Sequence, residues 1–127
     1  MFKSLNRNIE YGLTVLRVSV AALMLTHGYP KLMVLVSGGE IKFADPIGLG
    51  ITTSFVLTIF AEFFCSIFLL IGLKTRLAAI PLAITMAVAA FIVHGADPWA
   101  NKEKALLYLV IYLVLIISGG GKLALKN

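Results

Sequence analysis

Apolar residues run along this chain in four long blocks, not in strand-like alternation. The blocks cover about residues 11–29, 51–73, 77–93 and 104–118. A membrane-spanning helix needs roughly 17–25 residues. The first three blocks meet that length, and the fourth meets it only by starting near Lys102 or running on toward Gly119. Only Lys74-Thr75-Arg76 separates the second block from the third, so those two predicted helices form an antiparallel hairpin with this tripeptide at its tip. The first connection, residues 31–50, is longer and carries two turn signals, Gly38-Gly39 and Asp45-Pro46. Its apolar run at 32–36 either continues the first helix or lies along the membrane surface. Gly119-Gly120-Gly121 ends the last helix before a basic tail at 122–127.

Ala79, Ala83, Ala87 and Ala90 recur at helical spacing and give the third helix a small-residue stripe, which lets backbones approach closely inside a bilayer. Four residues further along the stripe stands His94. Pro81 falls in about the first turn, where proline is tolerated.

Composition strengthens the membrane assignment. The 127 residues are 60% hydrophobic and 13% charged, whereas soluble domains carry about 25% charged residues. The length fits a single domain, and the predicted fold is an all-α, four-transmembrane-helix bundle. The net charge of +5 sits mostly at block ends, and no basic run is interleaved with aromatics as base stacking requires. Nucleic acid is set aside, and the lipid bilayer is the expected partner. Lys3, Arg7, Lys74, Arg76, Lys122 and Lys126 fall on one side, against Lys31, Lys42, Lys102 and Lys104 on the other. This bias puts both termini in the cytoplasm. Lys3 and Arg7 precede the first block as in a signal peptide, but Arg17 interrupts it and no small-residue cleavage site follows, so it is read as a retained helix. The single cysteine, Cys65, permits no internal disulfide or CxxC pair and reads as a packing residue.

Two charges lie within apolar blocks: Arg17 in the first and Glu62 in the second. Arg17 is ten residues below His27, and Glu62 eleven below Ile51, so both lie about 15 Å deep and are expected to pair across neighbouring helices. Such a pair either fixes helix register or serves a proton or substrate relay. Nearer the outer face, His27, Lys31, His94, Asp97 and Glu103 come from three helix ends. Two imidazoles and a carboxylate suit a transition metal, interfacial hydrogen bonding, or protonation of a quinone, and their spacing does not choose; no metal ligand set is assigned. Tyr108 and Tyr112, four apart on the last helix, read as packing or interhelical hydrogen bonding, Trp99 as an interfacial anchor. Lys74 and Arg76 read as interface and topology determinants, with a headgroup-phosphate contact as the alternative.

The string HGYPKL at 27–32, closing an Arg-bearing first helix, resembles the DoxX family of small bacterial membrane proteins. FADPIGLG at 43–50, AEFFCSIFLLIGLKTRLAAIPL at 61–82, HGADPWANKEKALLYL at 94–109 and GGGKLAL at 119–125 follow in family order over nearly the whole chain. The tail departs: the family often ends in Ser-Leu-Asp, and this chain reads Ala124-Leu125-Lys126. The resemblance implies a four-helix protein of the bacterial cytoplasmic membrane. The family name comes from similarity to a membrane subunit of an archaeal thiosulfate:quinone oxidoreductase, and other members are associated with redox homeostasis and oxidative-stress complexes. Arg17, His27, Lys31, Glu62, Arg76, His94 and Glu103 match the family pattern.

Together these point to a redox-linked, quinone-associated membrane subunit, with His27, Glu62 and His94 as the candidate catalytic groups. No haem, flavin or iron–sulfur motif is present, so no cofactor beyond a quinone is expected and electrons require a partner oxidoreductase. A non-catalytic scaffold for a redox or stress-response complex is the alternative. A small-solute or lipid transporter is the third reading, formed only as a homo-oligomer.

Overall fold

A computed structural model describes residues 2–43 and 45–125, with the side chains of residues 2–4 left aside. Lys126 and the side chain of Lys3, both used in the charge count above, lie outside the described residues. Four helices form an up-and-down bundle, with no strand among the described residues.

The first helix spans Phe2–Ser37, 36 residues or about 54 Å. It passes through Pro30 and carries the 32–36 run with it, so the first of the two alternatives for that run is the one observed. Proline lacks an N–H and crowds the preceding turn, which is why His27–Lys31 reads as a helix end in the sequence. The second helix, Ile51–Ile71, starts under Asp45, whose carboxylate accepts from the Gly50 N–H (3.0 Å) and the Ser54 hydroxyl (2.9 Å). It stops at Gly72, which is left-handed (φ 74°), with the Leu73 N–H reaching the Phe68 carbonyl and the Gly72 N–H the Leu69 carbonyl. This doubled closure satisfies carbonyls that the helix end would leave open.

The third helix, Thr75–Val93, begins two residues before the apolar block does. The hairpin tip is therefore Gly72 to Lys74; Thr75 and Arg76 already belong to the helix, and Pro81 lies past the first turn. The fourth helix, Trp99–Ser118, is 20 residues long because it includes Lys102, Glu103 and Lys104. The other three supply stretches (Leu5–Ser37, Ile51–Ile71, Thr75–Val93) long and apolar enough to cross a membrane.

Two of these helices widen locally into π turns, Phe60–Cys65 in the second and Ala89–Val93 in the third. Val20, Met24, Leu69, Leu82, Tyr112 and Leu115 are buried at the bundle centre. Cys65 joins them as a free thiol. The third helix packs most extensively on the fourth, and Ala79, Ala83 and Ala90 lie in the buried core. Gly28 sets the register of the first pair: a Cβ there would lie 2.6 Å from the Glu62 carbonyl. At the other end, a Cβ on Gly72 would lie 2.6 Å from Arg17 Nη1. Beyond Ser118 the glycine run folds back over the first helix, with Gly119 and Gly121 at φ 78° and 88°.

Candidate functional site

The register places Glu62 level with Gly28 and Arg17 level with Gly72. Eleven residues of helix separate Gly28 from Arg17, roughly 16 Å, so the expected Arg17–Glu62 pair does not form. The depth estimate fails because the first helix runs on to Ser37, which sets Ile51 opposite that end instead of opposite His27. Glu62 pairs with Lys31, Nζ to Oε1, at 2.5 Å. Arg17, 2% exposed, donates from Nη1 to the Gly120 carbonyl at 2.9 Å.

Each half of the Lys31–Glu62 pair is held from its own helix. Lys31 lies one turn above His27 on the first helix, with its Nζ also 6.0 Å from the centre of the Phe43 ring. Phe43 in turn meets Phe55 edge-on at 5.3 Å. Glu62 is buried within the π turn of the second helix, where backbone widening re-aims side chains and which recurs at functional sites. The π turn of the third helix ends at His94, whose N–H bonds the Ala89 carbonyl at 3.0 Å. His94 Nδ1 lies 2.8 Å from Asp97 Oδ2. With the carboxylate as acceptor, Nδ1 is the donor of this contact, and in the neutral ring Nε2 is left as the acceptor.

Two cavities meet at these groups. One, about 320 Å³, is walled by Phe43, Ile47, Leu57, Ile84 and Val88 and ends on Lys31, Glu62 and His94. The other, about 190 Å³, has the same three residues on one side and His27, Asn101, Lys104 and Tyr108 on the other. His27 and Tyr108 rings meet edge-on at 6.2 Å, and Tyr112 stacks beneath Tyr108 at 6.1 Å. The Tyr112 and Ser66 hydroxyls are buried without a hydrogen-bond partner among the described residues.

Of the residues expected at the outer face, the structure brings together His27, Lys31, His94 and, through His94, Asp97. Glu62 joins them and Arg17 does not. Glu103 is exposed and lines neither cavity, since the fourth helix presents Asn101, Lys104 and Tyr108 there instead. Those three recur at three and four residues along one helical face, a spacing that marks them once the fourth helix is extended back to Trp99. Among the described residues, no group of three or more His, Cys, Asp or Glu side chains is placed to hold a metal ion. Lys74 and Arg76 are exposed at the opposite end, beside the hairpin tip.

A polar seam between an apolar and a polar chamber, inside helices of spanning length, can bind an amphipathic molecule and exchange protons with it. Comparison with known proteins locates the chain more narrowly. It is 34% identical to an uncharacterized protein of Haemophilus influenzae, over 98% of this chain and 95% of that one. It is 29% identical to a Bacillus subtilis protein described as "Putative oxidoreductase CatD", over 95% of this chain and 89% of that one. No solved structure matches. The DoxX family model matches residues 12–95, two-thirds of the length, taking in most of the first helix and all of the second and third; the chain belongs to the DoxX family and is a multi-pass membrane protein.

Proposed function

We propose that this protein is the membrane subunit of a quinone-linked redox system, binding a quinone headgroup against Lys31, Glu62 and His94 and working with a partner oxidoreductase. The observation that carries the proposal is the pair of half-buried Lys31 and buried Glu62 on the wall common to the two cavities. A quinone is a flat apolar ring with a carbonyl acceptor at each end. A cavity of about 320 Å³ is within the usual range for small-molecule sites, which are mostly apolar with a few placed polar groups. The residues present therefore fit the group. When bound, a quinone takes up two electrons and two protons to become a quinol, the electrons coming from the partner because no redox motif lies in this chain.

The chain's own residues have separable tasks. Lys31 donates from Nζ to a carbonyl oxygen, and Glu62 holds Lys31 charged and aimed. His94, fixed by Asp97 at Nδ1, takes a proton at Nε2 and passes it on. His27, against Tyr108, holds the second exchangeable proton on the polar side. The name carried by the Bacillus subtilis relative supports an association with oxidoreductases. In this proposal both termini face the cytoplasm of a bacterial inner membrane, following the distribution of basic residues, and the site lies toward the outer face.

The test is titration of a short-chain quinone into the protein in phosphatidylcholine nanodiscs. Saturable binding is expected, and a Lys31→Met/Glu62→Leu double variant, which keeps the site neutral, should bind about tenfold or more weakly for loss of a charged hydrogen bond. Equal binding by the folded double variant, or none by the wild type, overturns the proposal and favours a scaffold without chemistry of its own.

A further inference from the structure

We propose that the hairpin of the second and third helices carries a built-in site for an anionic phospholipid, with the headgroup phosphate on Lys74 and Arg76 and one acyl chain in the groove below them. The groove, about 430 Å³, runs between the two helices past Phe60, Phe68, Leu77 and Ile80, and Lys74 is its one charged wall. On the second helix it extends from Phe60 to Leu73, about 20 Å. Half the hydrocarbon core of a bilayer is roughly 15 Å, so the groove suits a single chain from one leaflet.

Its rim has the chemistry for a phosphate. The side chains of Lys74 and Arg76 make no hydrogen bond or ion pair among the described residues. The third helix starts there with no side chain capping its N-terminus, so the first-turn N–H groups and the helix dipole point at the same place. Lys74 itself is held at φ 50°, and it is the one non-glycine residue with positive φ among the described residues. A bulky side chain is disfavoured in that conformation. Orientation in the membrane requires basic residues on this side, but it does not require one at a strained position. A cation kept there against its backbone preference, at the mouth of an apolar groove, is accounted for by an anion that it binds. A second copy seated hairpin to hairpin would leave both cations uncompensated, since neither the tip nor the groove lining carries a carboxylate.

The test compares full-length protein in nanodiscs of phosphatidylcholine alone and of phosphatidylcholine with phosphatidylglycerol, with lipid retention read by native mass spectrometry and stability by thermal unfolding. Each basic side chain near a lipid surface contributes about a fivefold preference, so phosphatidylglycerol should be retained about twenty-five-fold over phosphatidylcholine. Lys74→Gly removes the charge and relaxes the backbone. It is expected to unfold no earlier than wild type in phosphatidylcholine while losing about fivefold of that preference. Ala78→Phe, which fills the groove and keeps both charges, should lose retention of either lipid. Three results would overturn the proposal: undiminished preference in Lys74→Gly, unchanged retention in Ala78→Phe, or equal stabilisation by inorganic phosphate without lipid. None of them bears on quinone binding at the other end of the bundle.

Discussion

Both ends of the bundle bury a charge, and they satisfy it in opposite ways. At one end Glu62 meets a side chain, Lys31, with a cavity on either side of the pair. At the other, Arg17 meets a backbone carbonyl, that of Gly120, and its Nε has no hydrogen-bond partner among the described residues. Arg17 lines none of the three cavities described above. The Lys122 N–H reaches the Glu10 carbonyl and the Leu123 N–H the Thr14 hydroxyl, both at 3.4 Å. A charge that faces space has something to act on. A charge roofed by its own chain is a fastening. The difference assigns Glu62 to the site and Arg17 to the architecture, although sequence depth makes them look like partners.

The largest expected effect separates the two ends directly. Glu62→Gln leaves the Lys31 ammonium facing a neutral amide and should destabilise the protein by about 3 kcal/mol, the lower end for a broken buried pair because the Lys31 side chain is 28% exposed. The Lys31→Met/Glu62→Leu double variant should recover most of that loss, and unfolding in mild detergent reads both. If the single and double variants fall equally, the pair is not coupled and the contrast fails. A smaller and local effect is expected from Arg17→Met. Loss of a hydrogen bond to a charged group, about 1.5–3 kcal/mol, should raise amide exchange at Lys122 and Leu123 at least tenfold and leave quinone binding unchanged. Exchange that stays slow would show that the glycine strap is held without the guanidinium. The smallest effect sharpens the site's inner boundary. Tyr112→Phe removes a buried hydroxyl that has no hydrogen-bond partner among the described residues, so stability should stay level or rise by up to about 1 kcal/mol. A loss above that would reveal a buried water bound there.

Much of this was legible in the sequence, and what was not has identifiable causes. Block length and glycine position gave four helices, the hairpin and the stop at Ser118. The end of the first helix misled because Pro30 and Lys31 resemble a terminus, while the tertiary packing of Gly28 on Glu62 and the apolar run at 32–36 carry the helix through. That one error shifted the depth of Glu62 by more than two turns and supplied the wrong partner. Asn101 escapes for a related reason, since the fourth apolar block begins only at 104, and Lys104 reads there as no more than a charge on the outer side. The two π turns have no local sequence signal. They depend on neighbours that reward an extra residue, and they place Glu62 and His94.

Those turns also divide the faces that each helix presents. An inserted residue rotates everything beyond it by about 100° relative to an unbroken helix, so the two halves of the second helix keep independent faces. The half that ends at Gly72 is clamped by the strap and its closure bonds, while the half that begins under Asp45 borders the cavities. The second helix thus turns one face to the strap and another to the cavities, and the change falls at Glu62 itself.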